Sequence, residues 1–179
     1  MVRGIKDLAV CSDKEKYKNI NKSATIKKLE KKKRRIQRSI SRKYEKNKKK
    51  GKYCKTKNID KTKKRLIKVI HRITNIRTNH LNQITTKIVN RKPRFICIED
   101  LNVKGMMKNK HMSKAIQDQC FYEFRRQLEY KCEDRGIQLI IADRYYPSSK
   151  KCCQCGRIKK DLKLLDRIYK CECGNKIDR

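Results

Sequence analysis

The chain has 179 residues, of which 53 are Lys or Arg and 18 are Asp or Glu, for a formal net charge of +35. No apolar run approaches the roughly 18 residues that a membrane-spanning helix needs. Met1-Val2-Arg3-Gly4-Ile5-Lys6-Asp7 shows no apolar stretch behind a basic start, so no secretory signal and an intracellular, nucleoid-associated location are expected. A charge this large points to a polyanionic partner, of which nucleic acid is the usual one.

In chain order, residues 4–12 (GIKDLAVCS) supply a short candidate strand. The charge then concentrates. Residues 14–65 hold 25 basic and 4 acidic side chains, and residues 66–94 hold 7 basic and no acidic ones, so that 14–94 carries +28. Within this run Ile26, Leu29, Ile36, Ile40 and Tyr44 recur at helical spacing. Leu66, Ile70, Ile73, Leu81, Ile84 and Ile88 form a second stripe, in steps of mostly three and four. The spacing predicts helices over 23–46 and 58–90, joined by a turn at 47–51 and packed as an antiparallel hairpin on one narrow apolar seam. The other faces are basic, and Arg34, Arg35, Arg38 and Arg42 are candidate phosphate contacts whose binding counterion release makes steeply salt-dependent. The plainer reading of such a run is a solvated hairpin.

Residues 95–145 are nearly neutral, with 9 basic and 8 acidic side chains, and are where a packed core is expected. Residues 94–100 (RFICIED) read as a strand ending in carboxylates, and 106–114 as a polar loop. A helix starts at Ser113, with Ile116, Cys120, Phe124, Leu128 and Cys132 on one face and Gly136 as its terminator. Residues 137–142 (IQLIIA) form a further strand. Strand, helix, strand within some fifty residues indicates an α/β unit with parallel pairing. Reactive groups in such sheets collect beyond the carboxyl ends of the strands. Glu99 is therefore a candidate ligand for a divalent metal, against the alternative of a solvated acid at a strand end. Asp100 alternates to the other face.

Of the ten cysteines, Cys97, Cys120 and Cys132 fall on apolar faces as small core residues. Cys152-Cys153-Gln154-Cys155-Gly156 and Cys171-Glu172-Cys173-Gly174 form two close pairs, with 15 residues between Cys155 and Cys171. Two tight turns, each closed by glycine, can aim thiolates inward at tetrahedral geometry. Cys152, Cys155, Cys171 and Cys173 are thus candidate ligands of a structural Zn²⁺. The second pair is C-x-C, a tighter bite than C-x-x-C, and Cys153 is an adjacent alternative ligand.

The segments GIKDLAV (4–10), IEDLN (98–102), FRRQLEYK (124–131), YPSSK (146–150), the cysteine pairs and CG…IDR (173–179) together resemble the TnpB/OrfB family, the transposon-encoded relatives of the type V CRISPR effector nucleases. The likeness runs over nearly the whole chain, in the family's order. It implies a mixed α/β fold: an RNase H-like (RuvC-like) core at 1–22 and 91–145, a long basic helical-hairpin insertion at 23–90 and a C-terminal zinc ribbon at 146–179. It also implies a role in transposition and DNA recombination, with DNA and a guide RNA as partners and Lys150 among the nucleic-acid contacts. Full-length members use three carboxylates, from separate segments, to hold Mg²⁺ for phosphodiester hydrolysis. Glu99 matches one of these positions. The family's first Asp, in G-x-D-x-G, falls on Val2. The second Asp of D-R-D-x-N would come after Arg179, so a chain truncated at both ends and without a complete catalytic site is expected. Asp143 and Asp178 match no ligand position. The alternative is a stand-alone basic zinc-ribbon protein that binds nucleic acid and has no nuclease role.

Overall fold

Ser23 and Thr56 set where the two helices of the basic region begin. In the computed structural model each side-chain oxygen accepts from the main-chain N–H three residues on, Ser23 from Ile26 and Thr56 from Ile59, which satisfies donors that the first helical turn leaves free. The structure describes residues 1–147, 150–159, 161, 162, 166 and 168–178. Ser148, Ser149 and Arg179, part of the family likeness, lie outside the described residues, as does the side chain of Asp178. The chain divides into two compact units, 1–141 and 142–179.

In the first unit the helices are α1 (Ala24–Lys46) and α2 (Lys57–Asn90). They are joined by a two-rung ladder of β4 (Lys48–Lys49) and β5 (Lys52–Tyr53), turning on Lys50 and Gly51 at φ 45° and 79°. Positive φ at both central residues gives the hairpin turn whose twist matches its strands. The seam between the helices is Ile26, Val69 and Ile73, flanked by Ile20, Leu29, Ile36 and Ile76. Val69, not the expected Ile70, is buried, and Ile70 is 37% exposed.

Around the hairpin's base lie β1 (Val2–Arg3), β2 (Asp7–Val10) and β3 (Lys16–Lys18), an antiparallel sheet in that order. A second pair of strands, β6 (Phe95–Glu99) and β7 (Gln138–Ala142), are hydrogen-bonded neighbours. Between them the chain forms α3 (Val103–Met107), α4 (Ser113–Gln119) and α5 (Phe121–Glu133). The main core joins Leu8 and Ala9 of β2, Tyr17 of β3, Leu81, Ile84, Ile88 and Val89 of α2, Ile96 and Ile98 of β6, and Phe124, Leu128 and Cys132 of α5. The near-neutral segment thus does supply much of it.

The single helix expected from Ser113 is broken at Cys120, which sits in the left-handed region at φ 52°. The break has a tertiary cause. The carbonyl of Asp118 accepts from the Asn21 side chain at 2.7 Å, and Gln119 Nε2 donates to the carbonyls of Gly4 and Ile5 at 2.9 and 3.2 Å. Gly136 does stop α5, at φ 62°. Its N–H donates to the Glu133 carbonyl, and that of Ile137 to the Cys132 carbonyl, the paired bonds of a Schellman cap.

Among its described residues the second unit carries an antiparallel hairpin, β8 (Ile168–Lys170) with β9 (Lys176–Asp178), and an isolated bridge between Lys151 and Ile158. Its apolar cluster is Cys152, Leu162 and Tyr169, with Cys171 packed against it. Among the described residues no helix is long and apolar enough to cross a membrane.

Candidate metal centre and nucleic-acid interface

Two knuckles build the thiol cluster. In the first, the Gly156 N–H donates to the Cys152 carbonyl and the Cys152 N–H to the Arg157 carbonyl. In the second, the Gly174 N–H donates to the Cys171 carbonyl and the Cys171 N–H to the Asn175 carbonyl. Both glycines lie at positive φ, 72° and 86°, a conformation an L side chain resists. The ladder of β8 and β9 brings the second knuckle's arms together.

The sulfurs of Cys152, Cys155, Cys171 and Cys173 lie within 4.8 Å of one another. Cys152 to Cys173 is 3.6 Å and Cys155 to Cys171 is 3.5 Å. A tetrahedral ion with metal–sulfur bonds of about 2.3 Å holds its sulfurs about 3.8 Å apart, so the set fits a metal such as zinc. The electrostatics also call for a cation. The Cys155 main-chain N–H and the Asn175 amide hold the Cys152 thiol down to about 6. At Cys173 the Asn175 N–H favours the thiolate, but the neighbouring sulfurs of Cys171, Cys152 and Cys155 outweigh it and push the thiol up to about 12. Four thiolates so close together ionise jointly only around a positive ion. Cys153 stands outside this group, exposed, and accepts from Asn175 Nδ2 at 3.2 Å.

The carboxyl end of β6 is built differently. Glu99 is half-buried, and its main-chain carbonyl accepts from Arg3, whose side chain is 6% exposed and also donates to the Phe121 carbonyl at 3.3 Å. Burial lowers the pKa of Arg3, and the neighbouring Glu99 carboxylate opposes that shift. Asp100 lies 3.5 Å from Arg125 Nη1. Val2 is 57% exposed. Asp143 accepts from the Tyr145 N–H at 2.7 Å and serves a turn. Among the described residues the four cysteines are the one group of three or more metal-ligating side chains close enough to share an ion.

On the hairpin, Arg34, Arg35, Arg38 and Arg42 are exposed along one side of α1. The first three, with Lys31, border an open cleft of about 350 Å³. The four acids of residues 14–94 all have internal partners. Glu15 meets Lys87 and Arg91, Glu30 meets Arg77, Glu45 accepts from the Tyr53 hydroxyl, and Asp60 meets Lys55. These acids serve the fold, and the outer basic faces stay uncompensated. Lys150 is half-buried, with its N–H donating to the Pro147 carbonyl and its carbonyl accepting from the Lys159 N–H, both at 2.9 Å.

Sequence reasoning missed Arg77 and Arg3. Arg77 joins Glu30 of α1 at 3.5 Å, Asp118 of α4 at 2.9 Å and, through Nε, Asn21 at 2.7 Å. The available signal was Glu30, a lone acid in a lysine run. Arg77→Met takes the guanidinium from the largely buried Asp118 and leaves Glu30 only the more distant Lys33 and Lys114, at 3.6 and 4.0 Å. The variant should lose about 3–5 kcal/mol of stability, read from the urea midpoint, while the nearby exposed Arg72→Met should shift it little.

Residues 3–110 match the family described as probable transposase (OrfB, IS605), and residues 121–179 match the Cas12f1-like TNB domain. A candidate RNA-guided DNA endonuclease of Streptomyces pristinaespiralis is 36% identical over 145 residues, covering 81% of this chain and 34% of that protein. InsQ of Escherichia coli K12, named as another candidate RNA-guided DNA endonuclease, is 31% identical over 184 residues, covering 94% and 42%. The chain therefore spans about a third to two-fifths of the length of these curated relatives. A Cas12f1 chain, seen by cryo-EM in complex with sgRNA and target DNA, superposes with a TM-score of 0.55 at 17% identity, over 99% of this chain and 45% of that one, a likeness of fold.

Proposed function

This chain belongs to the probable-transposase (OrfB, IS605) family. From that premise we propose that it is a nucleic-acid-binding protein of RNA-guided DNA endonuclease lineage whose 179 residues do not by themselves form a cleavage site. In this reading residues 1–22 and 91–145 are a RuvC-like core, 23–90 a basic hairpin inserted in it, and 146–179 a ribbon. The ribbon's Cys152, Cys155, Cys171 and Cys173 hold zinc, the ion best suited to four thiolates in a closed tetrahedral set. DNA and a guide RNA are the partners.

The observation that carries the reading is the hairpin. It holds +22 over residues 23–90, and all three of its acids are engaged within the fold. A surface so uncompensated attracts phosphates irrespective of base sequence.

Cleavage is a separate matter. Two-metal hydrolysis needs convergent carboxylates, because closely spaced dications must be neutralised and the attacking and leaving oxygens clamped between them. Glu99 is the matched position, Val2 has no ligand atom to offer, and the Arg3 guanidinium bonds the Glu99 main chain. Displacement of a catalytic group by about 1 Å already costs on the order of 10²-fold in rate. Purified chain with guide RNA, target DNA and Mg²⁺ or Mn²⁺ is expected to leave the DNA intact, with Glu99→Ala as the control for contaminating nuclease. Cleavage that vanishes in Glu99→Ala would show that Asp143, Asp178 or a second chain completes the site, and would overturn this part of the reading.

A further inference from the structure

We propose that Asn175 decides which of two adjacent thiols serves as the metal ligand: its side-chain amide steadies Cys152 within the four-sulfur group and ties Cys153 outside it. This rests on the reading of the ribbon as a zinc site, and adds to it a positioning residue and the choice of ligand.

The choice is a real one. Cys152 makes C-x-x-C with Cys155, but Cys153 makes C-x-C with the same partner, the spacing that Cys171 and Cys173 already use. Either thiol is chemically fit for zinc. Yet Cys152 is 2% exposed and belongs to the group of four, while Cys153 is exposed and stands outside it.

Asn175 is bonded to both sides of this choice. Its main chain belongs to the second knuckle, where its carbonyl accepts the Cys171 N–H at 2.9 Å and its own N–H bonds Cys173. Its side chain crosses to the first knuckle. There Nδ2 donates to Cys152 Sγ at 3.4 Å and to Cys153 Sγ at 3.2 Å. An amide nitrogen carries two hydrogens, one for each sulfur. The residue is half-buried, and the knuckle's own bonds hold its backbone in place.

The two bonds do different work. A ligand thiolate keeps negative charge, and a donor aimed at it fixes its orientation toward the metal. Cys152 gains this. At Cys153 the same amide occupies the sulfur and keeps it turned to Asn175, away from the group of four. Exchange of the two thiols requires both bonds to break. Without the amide, neither thiol is favoured by more than its position in the turn.

The test uses the zinc-loaded full chain. Asn175→Ala and Asn175→Asp remove the donor, the second while keeping the shape, and Asn175→Gln retains an amide. Zinc affinity is read by competition with a chromophoric chelator. The ligand is read at saturating zinc by mapping iodoacetamide labelling to single cysteines, since a free thiolate reacts and a metal-bound one is shielded. In the wild type Cys153 should label and Cys152 stay protected. Asn175→Ala and Asn175→Asp should bind zinc about 10- to 100-fold more weakly and label at both cysteines, whereas Asn175→Gln keeps the wild-type pattern. Adding Cys153→Ser to Asn175→Ala should restore protection of Cys152, because no competing thiol remains. Weaker binding with Cys152 still protected in Asn175→Ala would overturn the proposal, as would wild-type affinity there. So would a Cys152 that stays reactive beside Cys153→Ser, the mark of a unit that has come apart. A wild-type chain that takes up no zinc would instead overturn the reading of the ribbon as a zinc site.

Discussion

Replacing Cys155 and Cys171 together by serine is expected to remove the bound metal and unfold residues 142–179. The purified wild-type chain should carry about one zinc ion, and the double variant almost none, by elemental analysis. The size of the effect follows from what else holds the unit together. Among the described residues its apolar cluster is Cys152, Leu162 and Tyr169, and Cys152 is itself a candidate ligand. A unit of 38 residues lies below the size at which burial alone usually sustains a fold. A structural Zn²⁺ contributes on the order of 10 kcal/mol in comparable small modules. The positive-φ glycines hold the knuckles open but add no cohesion. Because the thiols must lose protons to bind, zinc should also be retained more tightly as pH rises and released on acidification. Cys153→Ser lies outside the four-sulfur group and should leave the metal content at the wild-type value. An unchanged metal content in the Cys155/Cys171 variant would refute the ligand assignment.

The second large effect is on binding. Changing Arg34, Arg35, Arg38 and Arg42 to glutamine should weaken nucleic-acid binding about a thousandfold near 0.15 M salt. The estimate takes one phosphate for each arginine and roughly 0.9 logarithmic units of salt slope per phosphate. The log–log slope should become shallower by about 3 to 4 units in the same variant. Fold stability should be nearly untouched, since the four side chains are exposed and glutamine has almost the helix propensity of arginine. Glutamine keeps a polar side chain and removes only the charge, so loss of affinity without loss of slope would mean that these positions shape the helix surface and do not meet phosphates.

How much of this was legible beforehand differs from one element to the next, for physical reasons. The hairpin was, because both helices announce themselves by periodicity and begin at Ser23 and Thr56, residues that cap. The phase error at Ile70 arose because α2 serves two partners. Val69 and Ile73 face α1, whereas Leu81, Ile84 and Ile88 face β2, β6 and α5. One stripe drawn along 34 residues cannot follow a change of neighbour. The break at Cys120 left no local trace, since it follows from hydrogen bonds made by Asn21 and Gln119 across the fold. The thiol cluster was readable from spacing alone, because two knuckles closed by glycine are a local instruction. Which sulfurs meet was not, with Cys153 next in line, because that depends on how the two knuckles come together in the fold. The burial of Arg3 was invisible, because a strand of two residues has no period to detect.

The most direct test of the central claim is the salt dependence of binding by the full wild-type chain to RNA and to DNA. If the uncompensated hairpin is the binding surface, affinity should fall by about 10³-fold or more between 50 and 200 mM salt, as it does for proteins with six or more phosphate contacts, with little dependence on base sequence. Affinity that stays level across that range would contradict the account.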